Sequence, residues 1–146
     1  MLKKFWRKLR TKSYAKGLIF SMRAAIFNAS SKNPQMDFKS LIKIAIPLYS
    51  KDWQFSKSQN DNYLIYKDSE KIKIKENDDF AEIIIAIADT EIRNMHFGVI
   101  KSKNISIEDS GQLILRGIEE SGMIAEIIRE EINKYSEDDF KNWRKK

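Results

Sequence analysis

The chain has 146 residues, 42% of them hydrophobic, with 27 Lys and Arg against 21 Asp and Glu and a formal charge of +6. That length suits one domain, 1–146, burying roughly two-thirds of the surface an unfolded chain exposes, and five Gly and two Pro are too few for a disordered or low-complexity protein. With no cysteine there is no disulfide framework, thiol nucleophile or cysteine-ligated zinc, which points to an intracellular, cytoplasmic protein.

The longest uninterrupted apolar run, Ile83–Ala88, is far short of the ~20 residues that span a bilayer. A secretory signal reads poorly because Arg23 splits the apolar stretch 17–27, although the acid-free, Ser-containing start has the composition of a mitochondrial presequence. Charge is placed unevenly. Residues 1–36 carry nine basic side chains and no Asp or Glu, whereas the rest of the chain is mildly acidic.

In chain order, Leu2, Phe5, Trp6 and Leu9 recur at helical spacing with basic residues opposite. A second set, Tyr14, Leu18, Met22, Ala25 and Ile26, is rotated relative to the first, so the reading is two helices or one with a bend, followed by a loop over 28–34. Asp37 caps a short helix with Phe38, Leu41, Ile42 and Ala45 on one face, and Pro47 is expected to end it at Ile46. Residues 50–62 read as an exposed connection whose Trp53 and Phe55 fold back on the core.

The clearest strand signal is the pair 63–67 and 71–75, where Ile72 and Ile74 alternate with Lys71, Lys73 and Lys75 around an Asp-Ser-Glu turn. The lysines are expected to form a solvated face. For 78–95 both helix and buried strand fit; an Asp cap, the length and the Asp89/Arg93 spacing favour a helix presenting Phe80, Ile83, Ile84, Ile87, Ala88 and Met95. Residues 97–107 look extended, 109–112 fit a hairpin turn or a first helical turn, and 121–135 form the firmest helix, with Ile124, Ile127, Ile128, Ile132 and Tyr135 on one face. Ser136–Asp139 has capping-box form. The fold expected is α+β: a small antiparallel sheet built on hairpin 63–75, packed by N-terminal and C-terminal amphipathic helices.

Strong chemical motifs are missing: there is no glycine-rich phosphate loop, Gly-x-Ser-x-Gly elbow or His-Glu-x-x-His. Asp89, Glu91, Arg93 and His96 crowd together, and on a strand Asp89 and Glu91 would share a face as a metal-dependent hydrolase requires. On a helix they diverge by about 200°. Glu119, Glu120, Glu130 and Glu131 read as solvated helix positions. No cofactor or metal is expected, and a small-molecule substrate is not indicated.

The leading functional expectation is a non-enzymatic accessory or adaptor protein that docks through residues 1–12 onto an anionic membrane surface or a partner protein. Phe5, Trp6 and Leu9 would be the apolar anchors, and Lys3, Lys4, Arg7, Lys8, Arg10 and Lys12 the electrostatic part. The alternatives are a nucleic-acid-binding protein using the same basic segment, a metal-dependent hydrolase at Asp89, Glu91 and His96, and an immunity or antagonist protein acting by surface complementarity.

Overall fold

A computed structural model describes residues 2–67, 70–75, 78–103 and 106–141, with the side chains of residues 2–7, 96–105, 107, 109, 110 and 113 outside the described set. The elements run α1 (Leu2–Lys32), α2 (Phe38–Tyr49), β1 (Trp53–Ser58), β2 (Asp61–Tyr66), β3 (Glu70–Ile74), α3 (Phe80–Lys103), α4 (Ile107–Ile132) and α5 (Glu137–Lys141). The architecture is α+β, with N- and C-terminal helices packed with a three-stranded antiparallel sheet of order β1-β2-β3.

The first 31 described residues form one helix, about 46 Å long at 1.5 Å per residue. It does not stop at 28 as its polar run suggests, because Ala29 continues the buried stripe of Ala15, Leu18, Met22 and Ile26. The polar residues bond back to the helix: Ser31 donates to the Phe27 carbonyl and the Asn33 side chain to that of Ala29, each at 3.0 Å.

Asp37 caps α2 as expected, its carboxylate accepting from Ser40 N–H at 3.2 Å and Ser40 Oγ at 2.8 Å. These bonds hold its carboxyl below the usual carboxylate range. The helix runs three residues past Ile46, with Pro47 inside it. Ile46 and Ala45 are fully buried, so core packing outweighs the preference of a pre-proline residue for extended backbone, and Ser50 N–H still reaches the Ile46 carbonyl at 3.2 Å.

Residues 50–62 hold a strand where a connection was expected. β1 pairs with β2 from Trp53↔Tyr66 to Ser58↔Asp61 around a two-residue turn in which Gln59 takes a left-handed φ of 56°. Lys67 N–H to the Asp52 carbonyl, 2.8 Å, closes the open end of this hairpin. The expected hairpin 63–75 is present as β2–β3, with Leu64 opposite Ile72. One face carries Trp53, Phe55, Leu64, Tyr66, Ile72 and Ile74 into the core, and Lys71, Lys73 and Lys75 are exposed.

Residues 80–103 are helical throughout, including 97–103, which looked extended. Asp79 caps α3 by accepting from Glu82 N–H at 2.8 Å, and Ile83, Ile84, Ile87 and Ala88 are buried as expected, whereas Met95 is exposed. The ambiguous 109–112 lies within α4. The Ser136 capping box forms reciprocally with Asp139, at 2.8 and 3.2 Å, and fixes α5 so that Phe140 inserts beside Phe38, Phe80 and Tyr135.

The helix directions follow from these contacts. A short connection makes α3 and α4 antiparallel, Tyr14 of α1 reaches Glu91 of α3, and Arg23 of α1 stacks over Tyr135, just past α4, at 4.2 Å. Thus α1 and α4 run in the same direction. The N-terminal half of α1, the C-terminal half of α3 and the N-terminal half of α4 therefore share one end of the molecule, beyond the last residues of α2.

Which face of the sheet is inside can be tested directly. Leu64→Ala should cost about 3 kcal/mol in urea unfolding by opening a core cavity, whereas Lys73→Ala, which removes only an exposed 3.6 Å pair with Asp61, should stay within about 0.5 kcal/mol.

Candidate functional site

All the expected docking residues lie on the N-terminal third of α1. Lys8, Leu9, Arg10 and Lys12 are exposed, Leu9 at 42%, and Thr11 is the first described side chain of α1 to be buried. The side chains of Lys3, Lys4, Phe5, Trp6 and Arg7 lie outside the described residues. Among the described side chains, α1 enters the core at Thr11, just past the exposed Lys8, Leu9 and Arg10.

Helix formation at α3 separates the acidic residues that a strand would have aligned. Asp89 turns outward to Arg93, 3.2 Å away, and Arg93 also bonds Glu70 of β3 at 3.2 Å. Glu91 turns the other way. The His96 side chain lies outside the described residues, and among the described residues no group of three or more His, Cys, Asp or Glu is arranged to hold a metal. On α4, Glu131 is buried and pairs with Lys134 at 3.1 Å, and Glu130 is exposed.

Glu91 is the polar centre of the fold. Its carboxylate accepts the Tyr14 hydroxyl, the Tyr49 hydroxyl at 2.9 Å to each oxygen, and the Trp53 indole Nε1–H at 3.0 Å. The donors come from α1, α2 and β1, so one carboxylate ties four elements. Burial first, and then the adjacent Glu91 charge, push both phenols far above their ordinary range, so they remain neutral donors. With its acceptor positions occupied by fixed protein donors, Glu91 is a structural anchor in this geometry.

In the sequence Glu91 reads as part of an exposed helix end, diverging from Asp89, or as a member of a metal site with Asp89 and His96, and neither reading contains this network. A signal was present: position 91 falls on the core stripe of α3, after Ile84, Ile87 and Ala88, where a charged residue needs partners. Its partners lie 77, 42 and 38 residues away in sequence, which no local pattern reveals. Comparison with known proteins gives no match: no family model fits the chain, and no curated protein or solved structure is significantly similar to it.

Replacing Glu91 by Ala leaves two hydroxyls and an indole N–H without their acceptor, and should cost about 3 kcal/mol, roughly 10 °C in unfolding midpoint. A pH series checks the phenols separately. Their proton affinity is higher folded than unfolded, so their contribution is complete below about pH 10, the ordinary tyrosine value, and declines as pH rises beyond it. Denaturant titrations from pH 8 to 11 should therefore show stability falling above pH 10, and the double variant Tyr14→Phe, Tyr49→Phe should fall less steeply.

Proposed function

We propose that this is an accessory or adaptor protein that docks through the first turns of α1 onto an anionic surface, a membrane or an acidic partner protein, and offers its mildly acidic body for further protein contacts. One observation carries the reading. α1 is a single unbroken helix with six basic residues among positions 3–12 and no carboxylate along its length, and Lys8, Arg10 and Lys12 are exposed beside Leu9.

Anchoring by core residues from Thr11 onward presents those turns as a preformed helix, so docking need not order a free segment first. Apolar residues at helical spacing suit the acyl boundary or an apolar partner groove, and the bases suit phosphate or carboxylate groups. No helix among the described residues is long and apolar enough to cross a membrane, so attachment in this reading is at the surface.

The test is sedimentation with phosphatidylserine-containing vesicles. Each basic residue near an anionic surface contributes about 1 kcal/mol, so the quadruple variant Lys4→Glu, Arg7→Glu, Lys8→Glu, Arg10→Glu should lose roughly a thousandfold in affinity while retaining its helical circular dichroism. Unchanged vesicle binding by the variant would overturn the membrane form of the reading. Tight, salt-sensitive RNA or DNA binding without vesicle binding would replace it with the nucleic-acid alternative.

A further inference from the structure

The outer face of α4 carries a pattern that the chain's own packing uses only at its C-terminal end, where Ala125 is half-buried and Arg129 lies near Glu82 of α3. Glu108, Gly111, Leu115, Ile118, Gly122, Ala125 and Arg129 follow one another at alternating spacings of three and four, the seam of a helix that pairs with another helix. The core face of α4 is a different one, carrying Gly117, Ile124 and Ile128. On the seam, Leu115 is 62% and Ile118 64% exposed, and Ile114 beside them is 49% exposed.

The two glycines sharpen the pattern. A Cβ built at Gly111 or Gly122 would meet nothing within 4 Å, so no neighbour inside the chain requires glycine there. Each nevertheless costs the helix about 0.5–1 kcal/mol relative to alanine. Flanking two exposed branched residues, they leave room for another backbone to approach closely.

We propose that this face is an isologous dimer interface, in which α4 packs antiparallel against α4 of a second copy about a twofold axis between Leu115 and Ile118. The spacing is symmetric about that axis. Gly111 falls opposite Gly122 of the second copy and Leu115 opposite Ile118 of the second copy, as self-complementarity demands.

Charge selects both the occupant and the direction. The seam begins at Glu108 and ends at Arg129, both exposed. Antiparallel pairing sets Glu108 beside Ala125 of the second copy, within a turn of Arg129, whose side chain leans back toward its own helix N-terminus and so toward Glu108. The pair forms twice by symmetry, whereas a parallel arrangement would oppose Glu108 to Glu108 and Arg129 to Arg129. An anionic bilayer fits this face poorly, because Glu108 and Glu119 lie along it. This face of α4 is separate from the basic turns of α1.

Sedimentation equilibrium of the full chain from about 1 μM to 1 mM tests it. The wild type should show a monomer–dimer equilibrium, and Leu115→Glu with Ile118→Glu should be monomeric throughout with an unchanged unfolding midpoint at low concentration. Glu108→Arg and Arg129→Glu should each weaken the dimer, by roughly tenfold for two exposed pairs, and the combined charge swap should restore it. A wild type that is monomeric throughout, or a dimer indifferent to Leu115→Glu with Ile118→Glu, would overturn the interface. Failure of the charge swap to restore the dimer would overturn the antiparallel arrangement.

Discussion

The arrangement of the fold depends on the hydrogen bonding of one half-buried carboxylate. Glu91 lies on the apolar stripe of α3, where an ionised side chain without partners would be too costly to keep. It is retained because Tyr14, Tyr49 and Trp53 converge on it. The dependence is mutual, since two phenols and an indole N–H drawn into a part-buried junction need an acceptor as much as the carboxylate needs donors. Satisfying both sets the rotation of α1, the end of α2 and the start of β1 together. Trp53 then stacks on Tyr66 with ring centroids 4.8 Å apart, which carries the constraint from β1 into β2.

The same junction divides the molecule. On one side lie the sheet, α2, α5 and the aromatic group of Phe38, Phe80, Tyr135 and Phe140; on the other, three helix segments continue, met by the sheet where Glu70 of β3 bonds Arg93 and Asn94. Leu9, Met95, Ile114, Leu115 and Ile118, five of the exposed large apolar side chains, lie at or beyond the level of Glu91. Leu9 and Met95 are single exposed side chains of an ordinary kind, whereas Ile114, Leu115 and Ile118 adjoin one another on α4 and form the apolar surface on which the proposed interface rests. The two faces involved differ in charge: α1 carries no acid, and α4 bears acid and base at opposite ends of one seam.

Much of this was legible in the residues. Core faces of α2, α3 and α4 and the β2–β3 hairpin follow from periodicity and capping, because those signals are local. β1 was illegible because only Trp53 and Phe55 point inward among Gln, Ser and Lys, and its pairing depends on β2. The extensions of α1 through 28–32 and of α3 through 97–103 were missed because propensity there is weak, yet lengthening an existing helix gains a hydrogen bond for each residue fixed. Pro47 misled for a related reason: burial of Ile46 outweighed its local preference. The Glu91 junction escaped because its four members are distant in sequence and only the fold assembles them.

The continuity of α1 has a mechanical consequence. With no break between its basic turns and its buried stripe, the helix is a stiff rod clamped from Thr11 inward, and Lys3 lies eleven residues, about 16 Å, from Tyr14. A load taken up by its basic turns is carried along the helix to the buried stripe, and the hydroxyl of Tyr14 is where it reaches the carboxylate of α3.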